Sequence, residues 1–93
     1  MNRRLLQSAA FVRAARRLVK KNPNVAPSVQ STLELLASDA FQPVLKTHKL
    51  KGDLAGSWAC SAGYDLRIVF EIVQHDGAEA ILLHSIGTHD EVY

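Results

Sequence analysis

A chain of 93 residues, 47% hydrophobic and 22% charged, is large enough for one core and too apolar to be disordered or fibrous, so residues 1–93 read as a single globular domain. No apolar run approaches the roughly 18 residues of a membrane span, and the opening stretch lacks the apolar centre of a signal peptide. Cys60 is the only cysteine, which excludes an internal disulfide and a Cys-rich zinc site and fits a reducing compartment, so a cytoplasmic protein is expected.

Asn2 to Leu6 suits a short first strand. Ser8 is a good N-cap, after which Phe11, Ala15, Leu18 and Val19 recur at helical spacing to about Lys21. The other faces of this helix hold Arg13, Arg16, Arg17 and Lys20. Together with Arg3, Arg4 and Lys21 they place seven of the eleven basic residues in the first 21 positions, with no acid among them. Such a segment is either a solvated face whose last-turn cations complement the helix dipole or the footprint of a polyanionic partner such as nucleic acid. Asn22-Pro23-Asn24 breaks the helix. Val25, Val29, Leu33 and Leu36 then form a second stripe to about Ser38, with Pro27 tolerable in the first turn. The two helices form an antiparallel hairpin.

From Phe41 the period becomes extended. Val44 to Leu50 is a candidate strand, Gly52 to Gly56 a loop, and Ser57 to Ser61 a second strand. Ala62-Gly63 reads as a turn and Leu66 to Val73 as a central strand. Asp76-Gly77 is the strongest hairpin signal, because both residues tolerate the positive φ of a type I′ turn. It leads into a buried strand from Ala80 to Ile86. The order predicts an α+β domain, a strand and two helices followed by an antiparallel sheet, with the helices on one face. Within it Cys60 reads as buried filler, and Trp58 as either core or a platform for stacking a base.

Candidate chemistry is carried by few residues. Asp65 and Arg67, two apart, are expected on the same side of one strand, either as a site or as a salt bridge of small worth. His48 precedes Lys49-Leu50-Lys51-Gly52, and Gly87 to Tyr93 sets His89 and an aromatic just past an apolar strand. Near pH 7 one imidazole can take a proton and another give one, so two of them flanking a phosphate suit cleavage of RNA through its own 2′-hydroxyl. A nearby arginine would stabilise the charge gained by the phosphorane. Taken singly, each histidine also has an ordinary packing or surface reading. His75 beside the turn reads as a solvated loop residue.

Three stretches together resemble the RelE/ParE toxin superfamily: His48-Lys49-Leu50-Lys51-Gly52, Tyr64-Asp65-Leu66-Arg67-Ile68-Val69-Phe70, and His84-Ser85-Ile86-Gly87-Thr88-His89-Asp90-Glu91-Val92-Tyr93. Within it the chain is most similar to the YafQ branch of messenger-RNA interferases from bacterial type II toxin-antitoxin modules. The likeness covers the full length and is specific from His48 to Tyr93. It implies a RelE-like fold and a toxin that cuts messenger RNA in the ribosomal A site with no metal or other cofactor. It also implies a cognate antitoxin that silences the toxin in a hetero-oligomer. Carried over by motif position, His48 is the base, His89 the acid, Asp65 an orienting or proton-transfer residue, Arg67 the phosphate-binding arginine and Tyr93 a base-stacker. Arg13, Arg17, Lys49 and Lys51, with Arg16, Lys20, Lys21 and Lys46, would contact ribosomal RNA phosphates.

This sequence departs from the branch at one place. The branch carries a further active-site histidine shortly before the aspartate, and Ser61 stands nearest to that position. Serine hydrogen-bonds a phosphate but is no acid or base at neutral pH, so catalysis is expected to be reduced or rearranged, with His84 as a possible replacement. If strand alternation sets His84 with Leu82 and Ile86, it is instead core or edge filler. The competing readings are a ParE-like toxin that poisons DNA gyrase and a homologue retaining only antitoxin or RNA binding.

Overall fold

Ser8 is where the chain leaves its first strand for its first helix. Strand β1 (Arg4–Gln7) ends there, and in the computed structural model, which describes residues 2–63 and 65–92, the Ser8 hydroxyl accepts the Phe11 amide at 3.0 Å. That bond satisfies one of the donors that a helix N-terminus leaves open. Helix α1 (Ala9–Lys21) buries Phe11 and packs Ala14, Ala15 and Leu18 against the same core, while Arg13, Arg16, Arg17, Lys20 and Lys21 stay exposed. A turn of 3-10 helix, Pro23–Val25, separates it from α2 (Ala26–Ser38), where Pro27 occupies the first turn and costs no amide bond. Val29 and Leu36 are buried, and Val25 and Leu33 pack partly buried beside them.

The remaining strands are β2 (His48–Lys49), β3 (Trp58–Ser61), β4 (Leu66–His75) and β5 (Ala78–Thr88). They form one sheet with β1 in the order β1-β5-β4-β3-β2, in which β1 runs parallel to β5 and every other pair is antiparallel. Asp76 and Gly77 take φ values of 52° and 80°, so the β4–β5 hairpin closes through the left-handed pair its sequence calls for. Phe11, Val29 and Leu36 from the helices meet Cys60, Ile68, Phe70, Ile81, Leu83 and Ile86 in one buried cluster. Both helices therefore cover the same face of the sheet, as the sequence pattern requires.

Two local departures shape the site. The strand expected from Val44 to Leu50 is only His48–Lys49. Pro43, with fixed φ and no amide hydrogen, starts a 3-10 turn (Pro43–Leu45) instead, and Lys46 leaves it in the left-handed region at φ 53°. The second departure is a bulge in β5: Val69 pairs with Ser85 but Phe70 with Leu83, leaving His84 as the extra residue. Side-chain parity changes there. Ile81 and Leu83 before the bulge and Ile86 after it all reach the core, whereas Leu82 pairs with Glu71 on the other face.

Helix α3 (His89–Val92) is a single turn that follows directly on β5. The Glu91 carboxylate accepts the Thr88 amide at 2.8 Å, so Thr88-His89-Asp90-Glu91 is one half of a capping box. Gly87 lets this turn fold back on the strand. A Cβ there would lie 3.0 Å from Glu91 Oε1, 3.1 Å from Glu91 Cβ and 3.3 Å from Val92 Cγ1. The polar segment seen in the sequence is thus a short helix fastened to the end of the sheet.

Candidate active site

Arg67, on β4, lies in register with Ser61 on β3 and with Gly87 on β5. Residues paired in this way project from the same face of the sheet, so the hydroxyl and the guanidinium share one surface, and on its far side Glu91 and Val92 pack over the glycine. The Arg67 Nη1 group donates to the Leu66 carbonyl at 3.0 Å, which curls the side chain back toward the β3–β4 turn. Arg67, Ser61, Gly63 and Lys46 line one cavity there.

Asp65 stands just outside the ladder. β4 begins at Leu66, which pairs with Thr88, so the next residues along the two strands are Asp65 and His89, at the same end of the sheet. Strand alternation does not extend to Asp65, which sits in a bend, and among the described residues no ion pair joins it to Arg67. It lines a cleft of about 990 Å3 with Arg17, Lys21, Thr88 and Glu91. The expectation that Asp65 and Arg67 share a strand face is therefore corrected. They flank the strand's first residue from neighbouring cavities, and Asp65 sits closer to the His89 segment.

His48 is on the opposite flank. It pairs with Ala59, which pairs with Val69, so it reaches the same face as Arg67 from two strands away, roughly 10 Å at about 4.8 Å per strand. Its Nδ1 lies 3.0 Å from the Lys46 carbonyl. A carbonyl only accepts, so Nδ1 carries the proton and Nε2 is the basic nitrogen of the neutral ring. The left-handed backbone at Lys46 sets up this contact, turning the chain so that a carbonyl two residues earlier meets the ring.

Charge at the helical end of the sheet is organised around Glu91. The Thr88 amide, foremost, and the nearby Lys21 and Arg17 hold its carboxyl below the usual 4.5. Burial pushes the Cys60 thiol up to about 12, which leaves it inert as a nucleophile and confirms its role as core filler. Trp58 packs against the core, edge-on to Phe41 at 4.9 Å between centroids, with the Lys49 ammonium 5.5 Å from its ring. Lys49 is thus engaged beside an aromatic, while Lys51 is exposed at the start of a 3-10 turn (Gly52–Leu54).

His84 neither fills the core nor stands beside Ser61. As the bulged residue it directs its imidazole to the Glu71 carboxylate across the outer face. His75 closes β4 and lies 3.3 Å from the Asp76 carboxylate. Tyr93 lies outside the described residues. Three features of the site escaped the sequence reading: the left-handed turn at Lys46, the Glu71–His84 pair, and the cap that orders α3. Only the last had a legible signal, the Thr-x-x-Glu spacing ahead of the terminal turn.

The sequence of residues 3–93 matches the bacterial toxin family of type II toxin-antitoxin systems, YafQ. No curated protein matches the sequence. Among solved structures, YafQ from E. coli strain BL21(DE3) superposes with a TM-score of 0.79 at 16% identity, covering 98% of both chains. The E. coli DinJ-YafQ toxin-antitoxin complex matches at 0.77 and 17%, covering 100% of this chain and 99% of that one. A metal-bound toxin from Helicobacter pylori matches at 0.73 and 25% over the full length of both. At such identities the superpositions establish the shared fold, while the sequence match over nearly the whole chain establishes the family.

Proposed function

This chain belongs to the YafQ family of toxins from bacterial type II toxin-antitoxin systems, and we propose that it acts as a ribosome-dependent endoribonuclease that cuts messenger RNA in the A site. The observation that carries this reading is the arrangement around Arg67. Ser61 and Gly87 lie in register beside it, Asp65 and His89 follow at the end of the same ladder, and His48 faces the surface from β2.

A phosphodiester seated on Arg67 then has one imidazole on each flank. His48 Nε2 removes the proton of the 2′-hydroxyl, whose oxygen attacks phosphorus as the bond to the 5′-oxygen breaks. Protonated His89 delivers a proton to that leaving oxygen, giving a 2′,3′-cyclic phosphate and a free 5′-hydroxyl. The guanidinium meets the charge that accumulates on the phosphorane oxygens. Asp65, beside the start of α3, orients the His89 segment. Ser61 offers a hydrogen bond to the phosphate and no proton-transfer capacity, so the acid and base roles rest on the two histidines.

The exposed Arg13, Arg16, Arg17, Lys20 and Lys21 supply a sequence-independent attraction to ribosomal RNA. An antitoxin holds the protein silent; the DinJ-YafQ complex, which shares the fold, is a structure of such an assembly. Purified protein added to a reconstituted translation reaction tests the proposal. It should cut the message on ribosomes and spare the same RNA free in solution. Equal cleavage of free RNA would remove the A-site requirement, and inhibition of DNA supercoiling without RNA cleavage would establish the gyrase-poison reading instead.

A further inference from the structure

Beside Arg67 the chain leaves aliphatic side chains in solvent where the fold has no need of them. Val44 is 64% exposed and Leu35 37%. Both line the cavity of about 430 Å3 that also takes in Lys46, Ser61, Gly63 and Arg67. Its lining comes from three elements. Arg67 and Ser61 are offered by the sheet, Leu35 by α2, and Val44 and Lys46 by the turn between α2 and β2.

That turn is a rigid support. Leu45 is 1% exposed and anchors it in the core, the Leu45 and Lys46 amides close onto the Gln42 and Pro43 carbonyls at 3.1 Å each, and Lys46 is held left-handed. Val44 is thus presented outward next to a fully buried neighbour. Ligand cavities for single small molecules run from about 300 to 1,000 Å3, so this one has room for one nucleotide unit. A nucleobase presents an apolar π-face and carries its phosphate a few bonds away, which matches aliphatic walls set beside a guanidinium. An acidic protein segment fits less well, because Glu34 and Asp39 flank the aliphatic side at exposed positions of α2 and its C-cap. A nucleotide brings its negative charge to Arg67 and Lys46 and sets its uncharged base on the aliphatic side.

We propose that this cavity holds the base of the nucleotide whose phosphate lies on Arg67, with Leu35 and Val44 as its walls. The proposal deepens the RNA-cleavage reading and rests on it. Aliphatic walls offer no donors or acceptors to a base edge, so the contact tolerates any base and serves to fix the nucleotide relative to the two histidines.

The test is a titration of the full chain with a fluorescent RNA pentamer, its central sugar 2′-deoxy to prevent cleavage, against the same pentamer with an abasic centre. The intact pentamer should bind about tenfold more tightly, from the apolar area a base buries against the two side chains. The double variant Leu35→Ser, Val44→Ser should abolish that difference and leave abasic binding unchanged. Val44→Trp, at an exposed position, should widen it. Arg67→Ala should weaken both ligands alike. Equal affinity of the wild type for the two pentamers overturns the base pocket while leaving the phosphate seat standing. Absence of binding to either overturns the pocket, while the ribosome-dependent cleavage reading stands or falls on the translation assay. If the double variant retains the difference but loses affinity for the antitoxin, the patch is a protein-docking surface and the pocket is refuted.

Discussion

The carboxylate of Glu91 shows how a single exposed residue sets the geometry of the site. It accepts the Thr88 amide, which lies one residue before His89, and the bond is available only to the ionised form in full strength. The folded carboxyl is held below 4.5, first by that amide and then by Lys21 and Arg17. A depressed folded value means that the cap is complete at neutral pH and is lost as pH falls through the lowered value. In an NMR titration the Thr88 amide should therefore move with a midpoint below 4.5; a midpoint at or above it would separate the amide from Glu91. Cys60 makes the complementary statement. With the thiol pushed up to about 12 by burial, native protein should resist a thiol reagent at pH 8 and react fully once unfolded. Rapid native labelling would show that the β3 core opens.

Among the elements, the two helices, their stripes, the Asp76-Gly77 hairpin and the long central strands were all legible, because each rests on a periodicity or a turn signal that few neighbours decide. The expected strand from Val44 to Leu50 was not. Pro43 and the left-handed Lys46 turn most of it into a support for His48, and backbone conformation of that kind leaves no periodic trace. The bulge at His84 was hidden for the same reason: strand alternation predicts Leu82 and Ile86 on one face, and one extra residue separates them. Nor could register be read, and register alone brings Ser61, Arg67 and Gly87 into line and leaves Asp65 beside His89. The α3 turn depends on Gly87 in a way that can be tested. Gly87→Ala places a methyl 3.0–3.3 Å from Glu91 and Val92 atoms, so the turn must shift and take His89 with it. RNA cleavage should fall on the order of 100-fold, as for small misplacements of catalytic groups, with little change in melting temperature. Unimpaired cleavage would show that α3 is not needed in this position.

For the whole molecule, the formal charge of +2 conceals a division of labour. On the proposed reading the basic helix supplies attraction at a distance, and the end of the sheet that shares a cleft with Arg17 and Lys21 supplies chemistry. Replacing Arg13, Arg16 and Arg17 together with Gln should weaken ribosome binding and lower the slope of log affinity against log salt by roughly 2, at about 0.7 for each phosphate contact to single-stranded RNA. An unchanged slope would place the ribosome contacts elsewhere. The core residues and the sheet should be unaffected, since these arginines are exposed. What unites the two parts is the claim that the RNA's own 2′-hydroxyl is the nucleophile, with His48 and His89 on either side of a phosphate held by Arg67. The direct measurement uses ribosomes stalled on a message whose A-site codon is either all-ribose or carries one 2′-deoxy sugar at the cut position. Wild-type protein should cut the first, leaving a 2′,3′-cyclic phosphate, and leave the second intact, and His89→Ala should cut neither while still binding antitoxin. Cleavage of the deoxy-substituted message, or undiminished cleavage by His89→Ala, would contradict the account.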